Sequence, residues 1–135
     1  MRAVLDANIL IASLLSPTGA PAQIVSRWLD GELELVVSET LLAELERAFA
    51  YPKLRDRVAA SEAAAFVLLL RRGALLAPEP ATAGRRSADS GDDYLLALAE
   101  SQSAILVSGD RHLLDLAAVL PIQTARAFLD ELAGR

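Results

Sequence analysis

Four segments of this 135-residue chain carry acids at positions where hard-metal or acid–base chemistry could use them. Asp6 directly follows the apolar run Ala3-Val4-Leu5, and Asp110 follows Ile105-Leu106-Val107-Ser108-Gly109. Glu44 lies at the edge of a helical stripe formed by Leu41, Leu42, Leu45, Ala48 and Phe49, with Arg47 on the far side and Glu46 on the opposite edge. Asp92 and Asp93 stand before Leu95, Leu96, Leu98 and Ala99, and Asp93 shares a helix face with Leu96 and Ala97, which directs it inwards. Each acid also has an ordinary structural reading. Asp starts turns and caps helices, one of the Asp92/Asp93 pair suits a cap, and a glutamate beside an apolar stripe suits a solvated boundary. As a set, Asp6, Glu44, Asp93 and Asp110 are different. Several carboxylates cannot stay ionised together in one cleft unless a cation neutralises them. Oxygen donors in that number suit Mg²⁺ or Mn²⁺ rather than Zn²⁺ or copper, and metal-bound water beside a carboxylate can attack a phosphodiester.

The elements that must hold these acids follow from periodicity. Short apolar runs at 3–5, 33–37, 74–77 and 104–107 read as strands, and longer patterns at 20–29, 38–50, 61–72, 92–102, 111–118 and 125–133 read as helices. Ser38, Ser61 and Thr124 are the expected caps, while Gly73 and Tyr51-Pro52 are the expected stops. Residues 78–91, rich in Pro, Gly, Ser, Thr and Arg, read as one long loop. Alternating strands and helices predict an α/β domain with a short, mostly parallel central sheet and helices on both faces. In such sheets the site lies beyond the carboxyl ends of the strands, near the point where strand order reverses. Asp6 and Asp110 are expected at two such ends.

Composition narrows the chemistry further. The length fits one domain over 1–135. Ala and Leu each occur 26 times, so helices should dominate. The absence of Cys removes disulfides, thiolate metal sites and thiol nucleophiles, and a single His rules out a multi-histidine zinc site. The longest apolar run, 63–70, is far shorter than the ~20 residues of a membrane span, and no signal-like stretch precedes Asp6. A cytoplasmic protein with no membrane association is expected. A net charge of −5 excludes nucleic-acid binding through overall positive charge, leaving local cations such as Arg85, Arg86 and Arg111.

Taken in order, the segments "VLDANIL", "LVVSETLLAELE", "DSGDDYLLALAE" and "ILVSGDRHLL" resemble the PIN-domain ribonucleases, and within them the toxins of VapBC-type toxin–antitoxin pairs. Each segment alone is weak, and the ordered set is specific. The resemblance implies a three-layer α/β/α sandwich and a Mg²⁺- or Mn²⁺-dependent endoribonuclease with one or two ions held by Asp6, Glu44, Asp93 and Asp110. A one-residue slip at the helix start would exchange Asp93 for Asp92. It further implies that Asn8 and Ser108 support Asp6 and Asp110 by hydrogen bonds, that the protein is a homodimer, and that its partners are an RNA substrate and a cognate antitoxin. For the antitoxin, the 20–29 helix with Ile24, Val25, Trp28 and Leu29 offers an apolar face, against the simpler expectation that Trp28 is core.

Aspartyl-phosphate enzymes and receiver domains also place an Asp after their first strand. The former have a second Asp two positions on, where this chain has Asn8, and both use a nearby Lys. The only lysine, Lys53, falls in a connection after the 38–50 helix. The remaining alternatives are a PIN-like RNA-processing nuclease that is not a toxin, or a PIN fold used only for binding.

Overall fold

The computed structural model describes residues 1–80 and 93–134. Five strands, β1 (Arg2–Leu5), β2 (Glu34–Val37), β3 (Leu75–Leu76), β4 (Ile105–Val107) and β5 (Ile122–Gln123), form one sheet in the order β3-β2-β1-β4-β5. Every pairing is parallel. The described helices are α1 (Ala7–Leu15), α2 (Ala20–Leu29), α3 (Glu39–Phe49), α4 (Pro52–Arg55), α5 (Ala60–Gly73), α6 (Asp93–Ser101), α7 (Arg111–Leu114) and α8 (Ala125–Ala133).

This is the expected α/β class, with the sheet wholly rather than mostly parallel. The chain moves outwards from β1 through β2 to β3, then crosses to β4 and moves outwards the other way. With right-handed crossovers, that reversal places the two sets of connecting helices on opposite faces. Accordingly, α1 packs on α2 and α3, α2 on α8 and α3 on α5, whereas α6 packs on β1 and β4 and α7 on β5. Central strands buried on both faces must be apolar throughout, as Ala3-Val4-Leu5, Leu35-Val36-Val37 and Leu106-Val107 are.

Several local expectations are corrected. Helix α1 falls where periodicity predicts no element, because Ile9-Leu10-Ile11-Ala12 is apolar on nearly every side and shows no periodic stripe; most of it is buried. Strand β5, two residues long after Pro121, is too short for pattern to reveal. Pro52 ends nothing beyond α3: it also opens α4, where a missing N–H costs nothing. Ser61 does not cap α5, which starts after Ala59 with no side-chain bond. The expected 111–118 helix stops at Leu114. Gly73 does close α5, and a Cβ there would come 3.1 Å from Cζ2 of Trp28, so glycine lets the helix end pack on the indole.

Helix α3 is anchored at its start by two side chains. Ser38, fully buried, accepts from Leu41 N at 3.3 Å, and Glu79, from the segment after β3, accepts from Thr40 N at 2.8 Å. Burial pushes the Glu79 carboxyl up, but the donors of Thr40 and the Ser38 hydroxyl outweigh it and hold the carboxyl below its ordinary value. Replacing Ser38 by Ala should therefore cost about 1–2 kcal/mol, measured as a lower urea midpoint with an unchanged m-value.

Candidate active site

Leu5 pairs with Val107 across β1 and β4, so the next residues, Asp6 and Ser108, emerge side by side where strand order reverses. The Asp6 N–H continues the ladder to Val107 O at 3.1 Å. Asp6 is only 6% exposed. Its Oδ1 accepts from Ile9 N at 2.9 Å and so caps α1, while Oδ2 accepts from the Ser108 hydroxyl. Ser108, completely buried, accepts in turn from Asp110 N at 3.0 Å. Asp110 is half-buried and caps α7 through Oδ1, which accepts from His112 N at 2.8 Å. One hydroxyl thus ties the ends of β1 and β4 together.

Glu44 reaches the same region from α3. It is half-buried, as its place on the stripe predicts, and Arg47 is exposed. Its Oε2 accepts from the hydroxyl of Tyr94 on α6. Asp93, the first residue of α6, is 6% exposed and directed inwards as expected. Burial pushes the Asp6 carboxyl above its ordinary value. The bonds from Ser108 and Ile9 oppose that rise, and the negative charges of Asp110 and Glu44 add to it. Asp6, Asp110 and Glu44 therefore share one electrostatic neighbourhood.

The expected support by Ser108 is present. Asn8 is instead exposed on the first turn of α1, and Asp6 is held by Ile9 N and Ser108 rather than by Asn8. Arg111 and His112 are exposed beside Asp110. Asp92, Arg85 and Arg86 lie outside the described residues. Tyr94 had no part in the sequence reading. The only available signal was its adjacency to Asp93, since its partner is fifty positions away.

Two apolar features lie elsewhere. A cleft of about 380 Å³ opens between α3, α4 and α5, over Phe49, Ala63 and Val67, and none of the four acids lines it. Trp28 is 8% exposed, Ile24 fully buried and Val25 nearly so, leaving Leu29 as the exposed large residue of α2. Trp28 lies against Gly73 and lines a small cleft with Leu33 and Leu35 towards the strand starts, at the opposite end of the sheet from Asp6. The simpler reading of Trp28 as core is the correct one.

The PIN domain family model matches residues 2–112, a span holding all four acids, and the chain belongs to that family. PIN domains are generally nucleases, typically with divalent metals. An uncharacterized protein of Methanocaldococcus jannaschii is 24% identical over 116 residues, covering 86% of this chain and 75% of its own length. The fold is similar to that of a Pyrobaculum aerophilum protein, with TM-score 0.70, 20% identity and coverage of 100% of this chain and 91% of that one. VapBC2 from Rickettsia felis, solved bound to a DNA fragment from its promoter, aligns with TM-score 0.63, 13% identity and coverage of 92% and 98%. FitAcB from Neisseria gonorrhoeae aligns with TM-score 0.54, 20% identity and the same coverages.

The donor chemistry here fits a hard divalent ion: carboxylate oxygens, one of them buried and destabilised by two neighbouring charges. Among the described residues no three acids stand close enough together to enclose an ion as they are. Mg²⁺ needs no such closed cage, because it retains several waters that complete its coordination shell.

The raised Asp6 carboxyl has a consequence for stability without metal. The folded state holds its proton more tightly than the unfolded chain does, so ionisation of Asp6 lowers stability as pH rises through its folded pKa. Asn at position 6 retains cap geometry and loses the charge. In EDTA at pH 7, Asp6→Asn should melt higher than wild type, measured by thermal unfolding of both proteins. The gain should shrink as pH falls through the raised folded pKa towards the ordinary carboxylate range, as the wild-type carboxyl takes up its proton.

Proposed function

We propose that this protein is a Mg²⁺- or Mn²⁺-dependent endoribonuclease, the toxin of a toxin–antitoxin pair, working as a cytoplasmic homodimer of one PIN-like domain over 1–135. The observation that carries this reading is the buried Asp6 carboxylate, held by Ser108 at the strand-order reversal and strained by the charges of Asp110 and Glu44. Asp6, Asp93 and Asp110 are assigned as ligands, and Glu44 as ligand to a second ion or as the group orienting the attacking water. When bound, the ion supplies positive charge to the phosphodiester and lowers the pKa of its water.

The chain's own groups do the rest. Ser108 holds Asp6 Oδ2, and the cap bonds from Ile9 N and His112 N restrict rotation of Asp6 and Asp110. Arg111 stands exposed one residue beyond Asp110, where its guanidinium can take a phosphate of the RNA backbone; Arg85 and Arg86 are assigned the same work. Such local cations are required because the chain carries −5 overall. VapBC2 and FitAcB among the similar structures support the toxin assignment and an antitoxin partner.

Wild-type protein should cleave RNA with Mn²⁺ or Mg²⁺ and stop in EDTA, while Asp6→Asn should lose at least about 100-fold in rate with its fold intact. Calorimetric Mn²⁺ titration should show weaker binding in Asp93→Ala and Asp110→Ala than in Asp115→Ala, a change at an exposed site at the end of α7. A control as damaged as the other two would mean the site is misplaced. For the toxin assignment, expression alone should arrest growth, and co-expression with the product of an adjacent small gene should restore growth and yield a stable complex. Normal growth with abundant, folded, RNA-cleaving protein would overturn the toxin assignment while leaving the nuclease standing.

A further inference from the structure

We infer that Tyr94 is a positioning residue of this site, a hydroxyl that sets the orientation of Glu44 and so couples the two helical layers across the carboxyl ends of the strands. The inference rests on the nuclease reading above.

The packing makes Glu44 the acid most in need of such a partner. Asp6 directly follows β1, and Asp110 lies just past the neighbouring β4, tied back by its N–H to Ser108, so sheet register and that bond bring them together. Glu44 has no such constraint. It sits on the second turn of α3, whose neighbours are α1, α4 and α5, whereas α6 rests on β1 and β4. A glutamate side chain has three rotatable bonds, and a half-buried one keeps much of that freedom unless it is held. The Tyr94 hydroxyl donates to Oε2, leaving Oε1 as the oxygen not engaged by Tyr94. Tyr94 itself is half-buried on the first turn of α6, directly after the inward-facing Asp93. A rigid aromatic ring with two torsions is a good arm for this task, because little freedom is lost in fixing it. The arrangement makes the placement of Glu44 depend on the seating of α6, the helix that also carries Asp93.

Tyr94→Phe removes the hydroxyl and keeps the ring, so the fold should be retained. The variants to compare with wild type are Tyr94→Phe, Glu44→Gln, their double mutant and, as control, Tyr51→Phe, whose residue is 65% exposed. Three quantities should be measured on each: Tm in EDTA, Mn²⁺ affinity by calorimetry, and steady-state cleavage of single-stranded RNA with Mn²⁺. Loss of a group that orients a metal-site carboxylate should weaken Mn²⁺ binding or lower kcat by about 10-fold, with KM for RNA unchanged. In the Glu44→Gln background the second change should add nothing, and Tyr51→Phe should behave as wild type. A Tyr94→Phe protein with wild-type Mn²⁺ affinity and kcat overturns the inference, even if its Tm falls, since that pattern marks a purely structural bond. Full additivity with Glu44→Gln overturns it too, because Tyr94 would then act by another route. Wild-type protein that binds no Mn²⁺ and cleaves no RNA would remove the nuclease reading and this inference together, whereas an active wild type with an indifferent Tyr94→Phe removes only the inference.

Discussion

The site depends on a single buried hydroxyl between two strand ends. Ser108 donates to Asp6 and accepts from the Asp110 N–H, so one side chain spans β1 and β4 where the sheet reverses direction. Parallel pairing makes this possible, because the Leu5–Val107 register delivers Asp6 and Ser108 to the same level without any further design. A buried carboxylate with negative neighbours is an expensive thing to keep in a protein interior, and the fold offsets that cost only in part: burial and the charges of Asp110 and Glu44 still outweigh the bonds from Ser108 and Ile9. What remains is a net electrostatic cost at one end of the sheet, which a proton or a cation would relieve.

Capping and the proposed chemistry use the same residues without conflict. A carboxylate has two oxygens, and in Asp6 one accepts from the first turn of α1 while the other faces Ser108. Asp110 likewise caps α7 with Oδ1. Each helix N-terminus presents unpaired N–H groups and the positive end of the helix dipole, which lowers the cost of placing an anion there. The structural reading of these aspartates as caps is therefore correct, and it is also what makes them available in a fixed orientation at a strand end.

The two other acids are placed by different means. Asp93 is buried by the packing of α6 on the central strands, whereas Glu44 belongs to the other helical layer and meets α6 through Tyr94. The proposed catalytic set thus draws on both faces of the sheet. Similar folds at 13–20% identity fit this economy, since parallel register and apolar strands can be kept by many sequences.

By itself the sequence determined the α/β class, the run of α2 and α8, the caps at Ser38 and Thr124, and the emergence of Asp6 and Asp110 at strand ends. It also indicated that Asp93 turns inwards and that Glu44 lies at the edge of the apolar stripe of α3. All of these are local: a strand's apolar run, a helical stripe or a cap is written within one or two turns of chain. Helix α1 escaped because a segment apolar on nearly every side leaves no period to detect, and β5 because two residues make no pattern. Only the tertiary structure decided that one Ser108 hydroxyl joins Asp6 and the Asp110 N–H at once, a support expected only from the family resemblance, that Asn8 faces outwards, that Trp28 lies at the far end of the sheet, and that Tyr94 meets Glu44. Those relations join residues up to 102 positions apart. Strand register and the packing of two helical layers bring them together, and both are set by the whole core at once rather than by any neighbouring stretch of chain.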